Sequence, residues 1–228
     1  MPNIVKNTTI IGLLDLLAPH SCRGCGQLGS ALCNRCKKNI LKSQHNICPN
    51  CKAKNPTGNC PDCPLLPPTY IGGERSGLLG ELVHDYKYHS IRALAGPLAE
   101  IMYHSLPNDL QQAYIIPLPT INRHVRERGF DHTLLIAKHL SKLTGYRVLP
   151  ILNRSKSTVQ VGTDRTTRLS QVKDAYILDS NKLDPGATYI LFDDVWTTGA
   201  SMGECVKKLR QAGAKNIIIA LLSLSRID

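Results

Sequence analysis

Ile190-Leu191-Phe192-Asp193-Asp194-Val195-Trp196-Thr197-Thr198-Gly199-Ala200-Ser201 decides how the rest of this sequence is read. It is a buried-strand run, two carboxylates, a small hydroxyl and glycine turn, and the start of a helix. A turn of this kind at a helix N-terminus offers free backbone N–H groups, the positive end of the helix dipole and hydroxyl donors to one phosphate. Gly199 permits close backbone approach or a positive φ. The carboxylates fall at the C-terminal end of the strand, where open α/β sheets bind ligands. They repel a phosphate, so their natural targets are hydroxyls or a cation. A phosphorylated ribose, with its phosphate and neighbouring diol, meets both demands.

Outward from this string, helix and strand patterns alternate. Helices are expected over 78–89, 94–106 (interrupted early by Gly96-Pro97), 133–143 and 199–211, the last with Met202, Cys205, Val206 and Leu209 on one face. Strands are expected over 114–118, 147–152, 187–192 and 216–224. Continuous apolar strands between amphipathic helices indicate an α/β fold with a parallel sheet covered on both faces. Residues 153–174 are polar, rich in Thr, Arg and Lys, and too long for an idle connection, which argues for a lid or arm. Arg123, Arg126 and Arg128 fall between a strand and a helix, where they suit a pyrophosphate; a solvated basic surface or nucleic-acid strip is the plainer alternative. Lys87 is either a surface lysine or a ligand of the same site.

The first third of the chain carries different chemistry. Eight of nine cysteines form four C-x-x-C pairs, Cys22/Cys25, Cys33/Cys36, Cys48/Cys51 and Cys60/Cys63. Disulfide frameworks rarely repeat one spacing four times, whereas two sulfurs so spaced can bite one tetrahedral ion. Two structural Zn²⁺ ions are therefore expected. Sequential pairing into two ribbons is the simpler arrangement, and interleaved pairing (22/25 with 48/51) remains open. Cys205 is read as a core thiol, and the eight histidines as scattered, with no metal-binding spacing. Residues 8–17 read as a short amphipathic helix, and the Pro-rich 64–70 as a stiff linker. The expected organisation is a zinc-ribbon module with its leading helix over 10–66 and an α/β domain over 67–228.

The 228 residues carry 28 Lys+Arg against 17 Asp+Glu, a formal charge of +11. Two Cys₄–Zn sites, at −2 each, bring this nearer +7. The basic balance points to an anionic partner. With one Trp, two Phe and eight Tyr, few rings are available for base stacking. No run approaches the ~18 apolar residues of a membrane span, and no export signal is evident, so the chain is expected to be cytoplasmic.

The string at 190–201 resembles the phosphoribosyl pyrophosphate (PRPP) motif of type I phosphoribosyltransferases. Combined with the C-x-x-C pairs, residues 10–226 resemble the ComF family of competence proteins. Leu82–Lys87 with Tyr88, the run from Ile116-Pro117-Leu118-Pro119 to Arg126-Glu127-Arg128-Gly129-Phe130-Asp131-His132, and Thr158, Gln160 and Arg168 resemble further segments of that family. Asp131-His132 stands where the family has Asn-Gln, Thr158 and Gln160 lie one residue closer together, and Gln171 stands where Asn is common. The resemblance implies a type I phosphoribosyltransferase-like sheet and a double zinc ribbon. It implies that Asp193 and Asp194 hold ribose hydroxyls and that Thr197, Thr198, Gly199, Ala200 and Ser201 cradle the 5-phosphate. It places the pyrophosphate loop near 117–120 and makes the 153–174 arm, with Arg154, Lys156, Arg165 and Arg168, a mobile catalytic loop. It implies Mg²⁺ as the companion of PRPP, and work on single-stranded DNA during DNA uptake with a competence helicase as partner. The sequence leaves the transfer step open: a phosphoribosyltransferase of nucleotide metabolism and a non-catalytic PRPP sensor are the alternatives.

Overall fold

A computed structural model describes residues 20–43, 47–55, 57–155 and 175–225. The expected leading helix at 8–17 and most of the 153–174 arm, including Lys156, Thr158, Gln160, Arg165, Arg168 and Gln171, lie outside them. Five strands form one wholly parallel sheet: β1 (Thr69–Ile71), β2 (Ala113–Pro117), β3 (Arg147–Val148), β6 (Thr188–Trp196) and β7 (Asn216–Leu224), in the order β1-β7-β6-β2-β3. Strands β4 (Leu152–Arg154) and β5 (Tyr176–Leu178) pair antiparallel beside it. The helices are α1 (Asn34–Lys42), α2 (Gly77–Tyr88), α3 (Ala95–Tyr103), α4 (Asn122–Arg128), α5 (His132–Thr144) and α6 (Ala200–Gln211).

Alternation along the strands sorts the core onto two faces. Ile190 and Phe192 of β6, with Ile115, Ala220 and Leu222, join one cluster that takes in α2, α3 and α5. Tyr189 and Leu191, with Ile116, Ile219 and Leu221, join the other, where Met202, Cys205, Val206 and Leu209 of α6 pack. Both faces are covered, which is why β6 and β7 read as unbroken apolar runs.

Several elements differ from the sequence reading. Strand β6 continues past Phe192 and takes in Asp193 and Asp194. The end of the Pro-rich linker is an edge strand, since prolines 67 and 68 precede β1 rather than interrupt it. Gly96-Pro97 does not break α3, because Pro97 occupies the first turn, where no backbone N–H is needed. Pro150 divides the expected 147–152 strand into β3 and β4. The basic stretch after β2 is a helix, α4, closed by Gly129 at φ +74°.

The cysteine-rich region contributes to the larger core. Within it α1 turns Cys36 and Ile40 inward, and Cys22, Ala31 and Leu32 join them in the cluster around α2 and α3. Lys37 pairs with Glu100 and Arg23 with Asp85 across the same contact. No helix among the described residues is long and apolar enough to cross a membrane.

Candidate functional site

The sheet opens a crevice between β2 and β6. Strand β2 ends at Pro117 opposite Phe192, whereas β6 runs on to Trp196, paired there on its β7 side. This is also where the strand order reverses, with β3 on one side and β7 and β1 on the other. Ligands of open α/β sheets bind at such a switch point. Here a cleft of about 250 Å³ is lined by Lys87, Tyr88, Pro119, Thr120, Arg128, His132, Arg154, Tyr176, Asp193 and Ser201, among others. A smaller hollow beside it is lined by Asp193 and all of 197–201.

Period-two alternation assigns the two carboxylates different surroundings. Asp194 has the parity of Ile190 and Phe192 and turns toward α2 and α5. Its Oδ2 lies 2.6 Å from Lys87 Nζ and 2.8 Å from His132 Nε2, with all three side chains largely buried. Burial would push the Asp194 carboxyl up. His132 and Lys87 overcome that and hold it well below the usual carboxylate range. Asp193 has the parity of Tyr189 and Leu191 and lines both the cleft and the hollow. Burial, then the neighbouring Asp194 charge, pushes its carboxyl well above the usual range, although the Asp194 N–H donates to its Oδ1 at 2.8 Å.

The tautomer of His132 follows from its partners. Arg128 can only donate, and its Nη1 lies 3.0 Å from His132 Nδ1. Nδ1 therefore accepts, which leaves the ring proton on Nε2, 2.8 Å from Asp194 Oδ2. The N-terminus of α5 anchors this arrangement. Asp131 caps the helix, accepting from Leu134 N at 3.1 Å and from Thr120 Oγ1 at 2.9 Å. Thr133 Oγ1 donates to Leu118 O at 2.7 Å. These bonds fix residues 118–120, the expected pyrophosphate loop, as one wall of the cleft.

The geometry of the 197–201 turn also follows from local chemistry. Strand β6 stops at Trp196, and Thr197-Thr198-Gly199 turns the chain into α6. Gly199 sits at φ +74°, and a Cβ there would overlap the Trp196 ring. Thr197 and Thr198 are exposed, while Gly199, Ala200 and Ser201 are half-buried. The loop is thus open to a ligand with its backbone braced from below.

Among the described residues, Arg154, Arg128 and Lys87 line the cleft together with one carboxylate, Asp193. Arg154 is held by Pro119 O (3.3 Å) and Tyr176 OH (2.9 Å), its guanidinium 5.0 Å from the centre of the Tyr176 ring. Arg128 lies 5.7 Å from the centre of the Tyr88 ring, and Lys87 meets Asp194. The expected Arg123, Arg126 and Arg128 trio does not converge, because a helix at 100° per residue points them apart. Arg123 pairs with Glu127 at 2.7 Å, Arg126 is exposed and outside the lining, and Arg128 alone reaches the cleft. Thr120 falls within the expected 117–120 loop, whereas sequence reasoning gives His132 no role: it is visible there only as a departure from the resembled pattern.

The eight cysteines resolve into sequential quartets, Cys22/Cys25/Cys33/Cys36 and Cys48/Cys51/Cys60/Cys63. Every cysteine in them is free. Tetrahedral sulfurs about 2.3 Å from a zinc ion stand about 3.8 Å apart. Cys25 and Cys33 are at 3.7 Å and Cys51 and Cys60 at 3.4 Å. The thiols within each quartet are driven apart: burial, then the neighbouring sulfurs, pushes Cys36 and Cys63 up to about 12, whereas backbone N–H groups outweigh burial at Cys22 and bring it down to about 6, and also lower Cys25 and Cys51. Both quartets suit structural zinc.

No protein-family model matches the chain. It is similar to Competence protein ComFC of Streptococcus pneumoniae, 22% identical over 194 residues that cover 82% of this chain and 85% of that protein. Competence protein F of Haemophilus influenzae is 27% identical over 213 residues, covering 86% and 92%. ComFC of Bacillus subtilis is 22% identical over 197 residues, covering 80% and 79%. Among solved structures, the allosteric regulatory enzyme of purine biosynthesis aligns with TM-score 0.44 at 15% identity, over 62% of this chain and 30% of that one. Adenine phosphoribosyltransferase from Saccharomyces cerevisiae aligns with TM-score 0.36 at 15% identity, over 83% and 88%.

Proposed function

We propose that this relative of the ComFC and ComF competence proteins binds PRPP in the β2/β6 crevice and acts with single-stranded DNA during DNA uptake. The observation that carries the first half is the half-buried Asp193 at the C-terminal end of β6, beside the turn into α6. Asp193 lines the cleft and also the hollow formed by the 197–201 turn, and Arg128 and Arg154 share the lining of the cleft with it. The turn takes the 5-phosphate through its N–H groups and hydroxyls. Asp193 accepts from the ribose hydroxyls. Arg128 and Arg154 face the pyrophosphate, with residues 118–120 beneath it. Lys87 reaches the pyrophosphate only by exchanging Asp194 for it. Asp194 braces the site from behind through Lys87 and His132.

Mg²⁺ fits this arrangement as a companion of the ligand. The cleft supplies one carboxylate to a hard cation that favours oxygen, so most of its ligands come from phosphate oxygens and water. Two Cys₄ zinc ions complete the protein. The DNA half of the reading rests on a net charge that stays near +7 with both zinc ions bound, and on the competence relatives.

Calorimetry of PRPP with Mg²⁺ tests the first half. Binding by the zinc-loaded protein, weakened at least tenfold in Asp193→Asn, is the expected result. No binding by a folded, zinc-loaded wild type would overturn the PRPP reading. Pyrophosphate release with one particular base would reassign the protein to nucleotide metabolism. For the second half, affinity for a single-stranded oligonucleotide should fall steeply with salt and should weaken when Lys38, Lys52 and Lys54 are neutralised; Lys37 is left in place because it pairs with Glu100. A flat salt response would sink it.

A further inference from the structure

At the C-terminal end of α2, outside the lining of the cleft, three donor side chains converge. His84, Asp85 and His89 each offer one ligand atom, and these atoms lie within 4.8 Å of one another. His89 Nδ1 is 2.9 Å and His84 Nδ1 4.0 Å from the same oxygen, Asp85 Oδ1. The two imidazole rings stand edge to face, centroids 5.3 Å apart. Asp85 is buried and both histidines are exposed. The other carboxylate oxygen, Oδ2, is taken by Arg23, through Nη2 at 2.6 Å and Nε at 2.7 Å.

We propose that His84, Asp85 and His89 form a third metal site, for zinc or a similar nitrogen-binding divalent ion, distinct from both cysteine quartets. A helix-end His–Asp pair accounts for His89 alone. It does not account for the Nδ1 of His84 facing the same oxygen. Nitrogen and oxygen ligands about 2.0–2.1 Å from a tetrahedral zinc stand roughly 3.3–3.5 Å apart, and the two observed separations bracket that value. Arg23 supplies what ligating carboxylates usually have, an outer partner that fixes their orientation and leaves one oxygen free. Two imidazoles with one carboxylate favour zinc, nickel or copper over magnesium or calcium. Three protein ligands leave a fourth position for water. On binding, the hydrogen that His89 Nδ1 donates to Asp85 moves to Nε2.

The location gives the ion a purpose. His84 and His89 bracket Lys87 and Tyr88, the two α2 residues that line the cleft. Arg23 lies between Cys22 and Cys25, in the first quartet. An ion here clamps the last turn of α2 between the zinc knuckle and the cleft. The Arg23 cation across the carboxylate weakens the site, so the cysteine quartets fill first.

The test uses full-length protein with zinc in both quartets, dialysed against free Zn²⁺ raised to about 100 µM so that mass action fills weak sites. Bound metal is counted by atomic emission. The wild type should take a third equivalent. His84→Ala and His89→Ala should each lose it, keeping two zinc ions and an unchanged far-UV circular dichroism spectrum. As a second readout, Co²⁺ added to the two-zinc protein should give visible d–d absorption with no thiolate charge-transfer band, absent in both variants. A wild type that stops at two equivalents, or a third equivalent that survives in both histidine variants, overturns the proposal.

Discussion

Replacing either of two adjacent aspartates by asparagine should give opposite results on stability. Asp194 is 5% exposed and pairs with Lys87 (14%) and His132 (8%). Removing one partner of a buried pair costs about 3–5 kcal/mol, because the other charge stays behind unpaired. Asparagine keeps one acceptor for His132, and Lys87 can turn into the cleft, so Asp194→Asn belongs at the low end, about 3 kcal/mol. At ~2–4 °C per kcal/mol for a chain of this size, its Tm should fall by about 6–12 °C. Asp193→Asn should stay within about 1 kcal/mol of wild type, since the fold already disfavours the Asp193 charge. The pH response carries the sign. The folded-state pKa of Asp194 is lowered, so its stabilisation is present above the unfolded value near 4 and fades as pH falls below it. The gap between wild type and Asp194→Asn should therefore close in acid. The pKa of Asp193 is raised, so its ionisation costs stability as pH climbs above about 4, and Asp193→Asn should gain on wild type over that range. Thermal unfolding followed by circular dichroism from pH 2 to 8 reads all of this. Equal losses at pH 7, or a larger loss for Asp193→Asn, would refute the assignment of the two side chains to opposite faces.

Gly199→Ala must place a Cβ in the Trp196 ring at a positive φ, so it should cost about 2–4 kcal/mol and weaken PRPP binding, read by Tm and calorimetry. His132→Gln should be mild, within about 1.5 kcal/mol, because the amide can still donate to Asp194 and accept from Arg128, whereas His132→Leu should cost about 3 kcal/mol or more; equal effects of the two would show that the bridge is unimportant. Loss of zinc from the first quartet should lower the Tm of the whole chain more than loss from the second. Cys22 and Cys36 belong to the cluster around α2 and α3, so Cys36→Ser should unfold well below Cys60→Ser in a thermal scan.

How much of this was legible beforehand depends on how local each signal is. The strand–turn–helix at 188–211 could be read because its apolar run, its glycine and its helix periodicity lie within two dozen residues. The C-x-x-C spacing was equally local, and the shorter gaps within each quartet favoured the pairing that the structure adopts. Helix α4 was not legible: its seven residues bury none of their side chains, so no periodic apolar stripe announces it. The difference between Asp193 and Asp194 was half legible. Period two puts neighbours on opposite faces, but only if the strand continues through them, and the apolar run in the sequence ends at Phe192. What decides their roles is further away still. The partners of Asp194 come from Lys87 on α2 and His132 on α5, helices brought together by the packing of their apolar faces against one side of the sheet. The same holds for His84, Asp85 and His89. Their spacing fits no common ligand motif, and the convergence appears only once the helix end is formed and Arg23 has fixed the carboxylate from another part of the chain. A motif identifies the groups that face a ligand. It is silent on the groups that hold those in place, because these are chosen by tertiary packing and not by spacing along the chain.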